Sequence, residues 1–314
     1  MAHYKRSNHK QFNFCRKKPV ATIITSRGCP YQCVFCCSKN LWRRRWRPRS
    51  LESVFKEIEM LVSVYGIREF CILDDQFILK KERIHAFCDY FINKHLNIAF
   101  SNIAGLSLWL VDDVPLLVKM RQAGFYKLTL PIESGNPEII QFIRKNIDLE
   151  QAGRVIRKAN KLGYWTGAFF ILGFPYETRK QILQTIAFAY KSQLDFAHFF
   201  VAQPYLGTEL YEIYCKEGLL SKERMKSSFI FGAWHDTLEL KASQLNDIQI
   251  KASQGWLIHK VKFYLKPKNL RSTLLPKLKT VADFRYSVGI LGMLIWRNVQ
   301  NFIKDKFNDS RTHI

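Results

Sequence analysis

The sequence predicts an α/β fold, a parallel barrel that closes only part-way and is followed by a basic α-helical extension. Three observations carry this prediction. Short runs rich in β-branched and aromatic residues alternate with amphipathic helical periods between residues 20 and 202, and strands separated by helices of that length form parallel βαβ units. Six such units fit in about 180 residues, against roughly 250 residues and eight units in a complete barrel, so the expectation is a partial (β/α)6 TIM-like barrel. After Gly207 the alternation stops, and from about residue 240 the sequence reads as basic helices broken at Pro267 and Pro276.

The elements follow in order. Residues 20–25 (VATIIT) form a β-branched run that ends at Ser26-Arg27-Gly28, a buried strand entering a loop. Ser50 caps a helix whose apolar period runs through Val54, Ile58, Leu61 and Val62 to Gly66. Residues 68–73 (REFCIL) are the second strand, closed by Asp74-Asp75, and residues 80–94 are helical. Strands are expected at 97–102, 125–132, 164–172 and 195–202, with helices at 112–123, 148–162 and 178–193. The expected organisation is a basic N-terminal segment (1–17), the partial barrel (18–210) and a helical, basic extension (211–314). In barrels of this kind chemistry sits at the C-terminal ends of the strands. The cysteines after the first strand, Asp74-Asp75, Asn102, Glu133-Ser134-Gly135 and Gly173 all fall there.

At 314 residues with 47% apolar content, the chain can bury a sizeable core. Its net charge of +23 is uneven: residues 1–50 hold thirteen Lys and Arg and no acid, and residues 241–314 hold fourteen against four, leaving the middle balanced. A neutral body with basic ends suits contact with an anion such as nucleic acid, a phospholipid surface or an acidic partner. Eight cysteines are too few for a disulfide scaffold in a chain this long, which places the protein in a reducing compartment, read as the cytoplasm. The stretch 286–296 falls short of the roughly 18 residues that span a bilayer. Together with Trp256, Phe263, Tyr264 and Leu265, and with Ile290, Leu291, Met293, Leu294 and Trp296 within that stretch, it suits a helix lying peripherally on the inner membrane surface. A lid or dimer contact is the rival reading.

Cys29, Cys33 and Cys36 form a C-x-x-x-C-x-x-C loop with Phe35 just before the last cysteine. Thiolates hold iron-sulfur clusters, usually four at a time. Three on one loop leave a fourth iron open to an exchangeable ligand, as catalytic metal centres do. The rival is a zinc knuckle with Cys37 or Cys15 as fourth ligand, but zinc sites pair two distant arms and no second arm is visible. Cys37, Cys71 and Cys88 are read as bystanders.

This motif directly after a first strand resembles the radical S-adenosylmethionine (SAM) superfamily. The likeness covers residues 18–215 through TSRGCPYQCVFC, WRRRWRPRS, ILDDQF, PIESGN, FFILGFPYET and YLGTELY. These strings are similar to the radical SAM domain of the cobalamin-binding class, which includes methyltransferases and ring-forming enzymes of tetrapyrrole and lipid pathways. The resemblance implies a 4Fe-4S cluster on Cys29, Cys33 and Cys36. It also implies SAM contacts from Phe35 (adenine), Asp74 and Asp75 (methionine end), Glu133 (ribose or amino group), Lys145 (carboxylate), and Ile171 and Gly173 (adenine border). An electron donor of flavodoxin or ferredoxin type follows as partner.

The sequence departs from the class in three places. No D-x-H-x-x-G-like segment precedes Cys29, so either cobalamin is supplied by another, cobalamin-binding chain, or the enzyme works without it, or the chain is a fragment. Tyr176 stands where the class has Gly, which requires a negative φ or strain there. Leu206 stands where the class has Pro. Arg43, Arg44, Arg45, Arg47 and Arg49, interleaved with Trp42 and Trp46, are read as a latch over the cluster loop, with an anion grip as the rival. The expected function is reductive SAM cleavage that starts radical C–H chemistry, methylation or cyclisation, on a lipid-like or anionic substrate. Modification of tRNA and a non-catalytic iron-sulfur accessory role are the alternatives. Nucleic acid is the weaker partner, since no second cysteine cluster or RNA-binding module is visible. No residue that completes the reaction stands out.

Overall fold

The computed structural model describes residues 15–102, 105–108, 112–220, 233–290 and 292. Its framework is six parallel strands: β1 (Val20–Ile23), β4 (Glu69–Ile72), β5 (Ala99–Asn102), β6 (Lys127–Glu133), β7 (Trp165–Leu172) and β8 (Phe196–Val201). They pair as β1-β4-β5 and as β6-β7-β8. A parallel bridge between Phe100 and Phe125 joins the two sheets into one curved run. Two-residue strands β2 (Ser26–Arg27) and β3 (Arg47–Pro48) add an antiparallel pair beside the cysteine loop.

The helices form where local chemistry permits. α1 (Ser38–Trp42) is a short turn after the cysteines. α2 (Leu51–Tyr65) starts where the Ser50 side chain accepts from Ser53 N and ends at Gly66, whose φ of 67° costs a glycine little. α3 (Lys81–Lys94) and α4 (Val114–Gln122) follow β4 and β5. α5 (Pro137–Phe142) and α6 (Leu149–Lys161) are capped by Asn136 and Asp148. Thr178 and Gln181 close a capping box on α7 (Arg179–Lys191). α8 (Glu209–Lys216) follows β8, and α9 (Ala242–Tyr264) begins the extension.

Alternation along the strands separates two faces. Phe70, Phe100, Phe170 and Phe199 point outward into the main core with Phe87, Phe91 and Phe125 from the surrounding helices and loops. Phe100 stacks on Phe125 with ring centroids 5.1 Å apart, and Phe170 on Phe199 at 5.5 Å. The inward positions are the neighbours of these residues: Phe169 and Ile171 on β7, His198 and Phe200 on β8.

The extension packs onto the barrel. Leu240, Leu245, Ala252 and Trp256 join the main core, and Tyr190 Oη donates to the Ala252 carbonyl at 2.9 Å. The expectation of an interfacial helix is corrected for Trp256, Tyr286 and Ile290: all three are buried, the last two against Tyr126 and Trp165. Burying these apolar side chains against the barrel removes them from any lipid-facing stripe. Leu291, Met293, Leu294 and Trp296 lie outside the described residues. Among the described residues no helix is long and apolar enough to cross a membrane. Asp283, from the helical residues 281–290, forms a buried ion pair with Arg16 at 2.9 Å.

Candidate active site

The cysteine loop leaves the C-terminal end of β1 under tight local control. Asp74, buried at the end of β4, accepts from Thr25 N, Thr25 Oγ1 and Ser26 Oγ, each at 2.6 Å. Asp75 is exposed and accepts from Gly28 N at 2.9 Å. The two acids therefore hold the loop in different ways, Asp74 from beneath with both oxygens engaged and Asp75 from the cysteine side. Trp46 Nε1 donates to Ser26 Oγ at 3.1 Å and to the Gln76 carbonyl at 2.9 Å. Arg49 donates to the Ile24 carbonyl at 2.9 Å. These contacts are those of a latch. Arg43, Arg44 and Arg45 remain exposed beside it, and Arg47 lies over the Trp42 ring at 5.2 Å.

Inside the loop, Val34 is the anchor. Its N–H donates to the Ile143 carbonyl at 3.3 Å, and its carbonyl accepts from Leu210 N at 3.0 Å. Its side chain is buried with Ile139, Phe174, Leu210 and Tyr214. Cys29, Cys33 and Cys36 flank this plug, half-buried and free of disulfides. Burial is the main cause that pushes all three thiols up, Cys29 to about 11. Such thiols become thiolates when a cation compensates them. Among the described residues, the trio of potential ligands whose ligand atoms all lie within 4.8 Å of one another is Cys15, Glu69 and Cys71, not the loop cysteines. Three thiols spread wider than that suit a polynuclear cluster better than one tetrahedral ion with metal–sulfur bonds of about 2.3 Å.

The rim facing the loop carries charge of both signs. A register shift between Pro131 and Glu133 ends β6, and Glu133 takes a left-handed φ of 67°. Bulges and left-handed non-glycine residues re-aim side chains at functional sites. Glu133 Oε1 meets Lys145 Nζ at 2.5 Å, with both side chains largely buried. Lys145 Nζ stands 5.8 Å from the Phe35 ring centroid, and Phe35 packs on Phe174 at 6.1 Å. Half-buried Ile171 packs with them. Gly173 turns the chain out of β7 with a φ of 82°. The structure thus brings Cys33, Phe35, Glu133, Lys145, Ile171 and Gly173 together and sets Asp75 beside Gly28.

Glu177, which sequence reasoning passed over, fixes the β7 turn. Its buried Oε2 accepts from Gly173 N at 2.6 Å and Phe174 N at 3.2 Å, and burial raises its carboxyl to about 8. The signal was present as an acid three residues after a Gly-Phe turn. Tyr176 stays out of the left-handed region. It donates to Glu217 at 2.9 Å, so the departure from Gly is accommodated. The native state holds a proton on Glu177 that the unfolded chain gives up near 4.5. That stabilisation is full below 4.5, declines as pH rises through about 8 and is constant above. Relative to Glu177→Gln, the wild type should therefore lose a few kcal/mol of stability between pH 5 and pH 8.5. Urea titrations of both proteins at the two pH values check this, and a difference that does not change with pH would show that the carboxyl is ionised throughout.

The fold and site define an open parallel barrel with a three-cysteine loop at its catalytic rim. Residues 23–189 match the model of the radical SAM superfamily, and the chain belongs to that family. It is 32% identical over 252 residues to an uncharacterized methyltransferase of Pyrococcus horikoshii, covering 80% of this chain and 53% of that protein. It is 31% identical over 211 residues to the cytidylyl-2-hydroxyethylphosphonate methyltransferase of Streptomyces wedmorensis, covering 65% of this chain and 39% of that one. It is 28% identical over 198 residues to the anaerobic magnesium-protoporphyrin IX monomethyl ester cyclase of Rubrivivax gelatinosus, covering 62% and 35%. The chain thus spans about half or less of these relatives' length. The radical SAM methyltransferase TsrM of Kitasatospora setae, solved with cobalamin and a 4Fe-4S cluster bound, superposes with a TM-score of 0.57 at 18% identity. That match covers 64% of this chain and 40% of TsrM, and it shows the shared fold. The chain accordingly carries a radical SAM domain, and TsrM, which shares its fold, holds a 4Fe-4S cluster.

Proposed function

We propose that this chain cleaves SAM reductively and starts methylation or ring formation on a substrate with an apolar or aromatic face. The observation that carries the reading is the Glu133–Lys145 pair, 2.5 Å apart, beside Phe35 and the cysteine loop. One carboxylate and one ammonium at this rim complement the ammonium and carboxylate of a methionine moiety.

A 4Fe-4S cluster held by the cysteine loop would supply, when bound, the one electron that reductive SAM cleavage needs. The protein's own residues position the reactants. Cys29, Cys33 and Cys36 would hold three irons, and Lys145 and Glu133 the ends of the methionine moiety. Asp75 would lie near that moiety with Asp74 behind it, fixing the loop. Phe35, Ile171 and Gly173 would border the adenine. Phe169, His198 and Phe200 form an inner wall with ring centroids 5.7 to 6.3 Å apart. Such a wall excludes water and receives a flat or apolar substrate. Exposed Arg43, Arg44 and Arg45 beside the loop support docking of an acidic flavodoxin- or ferredoxin-type donor. Outward-facing Ile250, Ile258 and Val261 on α9, with Leu265 at its C-cap, support a membrane surface as the place of work.

Anaerobic reconstitution, reduction with dithionite and assay of 5'-deoxyadenosine and methionine test the reading. The wild type should form both, and Cys33→Ala should form at least roughly a thousandfold less, as removal of an indispensable group does. A wild-type chain that assembles the cluster and binds SAM yet yields neither product overturns it.

A further inference from the structure

At the other end of the barrel lies a second group of sulfur ligands. Cys71 sits on β4 between outward-facing Phe70 and Ile72, so its thiol points into the barrel. Cys15, just ahead of β1, brings its Sγ to 3.7 Å from that of Cys71. Glu69, two residues before Cys71 on the same strand face, is fully buried. The two sulfurs and a carboxylate oxygen all lie within 4.8 Å of one another.

The spacing carries information. Two thiolates on a tetrahedral ion with zinc–sulfur bonds of about 2.3 Å stand about 3.7 Å apart, the same separation as the hydrogen bond that joins the two thiols here, whereas disulfide sulfurs stand about 2.05 Å apart. The carboxylate is already oriented. Glu69 Oε1 accepts from Tyr126 Oη at 2.7 Å and from Ser101 Oγ at 3.4 Å, and Oε2 accepts from Lys17 N at 2.8 Å. These three bonds come from outside the trio, while the Cys15 side chain also hydrogen-bonds the carboxylate, and outside partners of this kind fix a ligating carboxylate for a metal. Charge points the same way. Once bound to a divalent ion, two thiolates and a carboxylate would carry three negative charges, which the ion and the nearby Lys127 side chain would balance. Buried groups of like sign need such compensation.

We propose that Cys15, Cys71 and Glu69 form a metal site, distinct from the cluster loop, that takes a borderline-soft divalent cation such as zinc. The ion would fasten the N-terminal segment to the barrel floor. Arg16 continues the same seam: its N–H donates to Tyr126 Oη at 3.1 Å, and its guanidinium pairs with Asp283 at 2.9 Å. One ion would therefore tie the N-terminal segment to the strands at a point where the C-terminal helix also docks.

The test is elemental analysis of the full chain, independent of SAM cleavage. The protein is purified anaerobically, reconstituted with iron and sulfide, incubated with zinc chloride and desalted over a weak chelator. About one zinc per chain is expected beside the cluster iron. Cys15→Ser, whose side chain is only half-buried, should weaken zinc retention roughly 10- to 100-fold while iron and sulfide stay at wild-type levels. Glu69→Gln should weaken it less. Cobalt in place of zinc should give a thiolate-to-metal absorption band that Cys15→Ser abolishes and Cys33→Ala keeps. The proposal is overturned if the wild type retains no zinc, if zinc survives in Cys15→Ser but leaves in Cys33→Ala, or if mass spectrometry finds a Cys15–Cys71 disulfide in its place.

Discussion

Gly28→Ala should lower the iron and sulfide bound per chain at least about tenfold without unfolding the protein, an effect set by strain local to one loop. Gly28 has a φ of 90°, and a Cβ there would lie 2.1 Å from the Arg45 carbonyl oxygen. The obstacle is backbone, so no rotamer change relieves it. Left-handed geometry alone costs an L residue roughly 1 to 2 kcal/mol, and the clash adds to that. Two relaxations are open: the β2–β3 pair separates, or the loop moves away from Arg45. The first strains the Trp46 bonds to Ser26 and Gln76. The second breaks the Gly28–Asp75 bond and moves the adjoining Cys29. Either displaces a ligand on a scale that metal sites tolerate poorly. Iron and sulfide content measured beside a thermal melt separates local from global loss. Wild-type iron in Gly28→Ala would mean that the arginine segment only covers the loop and does not shape it.

The same loop shows what a linear reading can reach. The strand ahead of Cys29 and the helix after Ser50 are written locally, in a β-branched run and a capped period. The strand-helix alternation likewise places Glu133 and Gly173 at one rim. The β2–β3 pair was hidden because two-residue strands have no period, and its partners are twenty residues apart. α5 was overlooked although Asn136 and Pro137 form a good helix start. α8 was overlooked because the alternation seemed to stop at Gly207, and the boundary expected near residue 210 falls within it. Cys71 looked like a strand bystander because its partner is 56 residues away, and spacing rules see only short loops. Trp256, Tyr286 and Ile290 read as interfacial because basic and aromatic residues side by side look alike on a membrane helix and on one packed against a barrel. What separates the two is the partner surface, and only the fold supplies that.

Lys277→Met tests whether the extension braces the barrel. Lys277 is fully buried, and its Nζ lies 2.6 and 2.5 Å from the two carboxylate oxygens of Asp195. Asp195, at the entrance to β8, also accepts from Thr166 N at 2.6 Å, from Thr166 Oγ1 at 3.1 Å and from Tyr264 Oη. Removing one member of a buried pair leaves the other charge uncompensated and costs about 3 to 5 kcal/mol. At this chain length each kcal/mol moves the melting midpoint roughly 2 to 4 °C, so a fall of about 10 °C is expected. Lys260 limits the loss. Its buried Nζ has no hydrogen-bond partner, burial lowers it to about 8, and Asp195 pulls it back up. With Lys277 gone, Lys260 becomes the nearest counter-charge, so the penalty should be smaller at pH 6 than at pH 9. Adding Asp195→Asn should recover most of the lost stability, because the neutral amide can still meet Thr166 and Tyr264 without a cation. A single, lower cooperative transition would place the extension and barrel in one folding unit. An early separate transition confined to the C-terminal residues would instead make the extension an independent clamp, and the barrel with its cysteine loop would then stand without it.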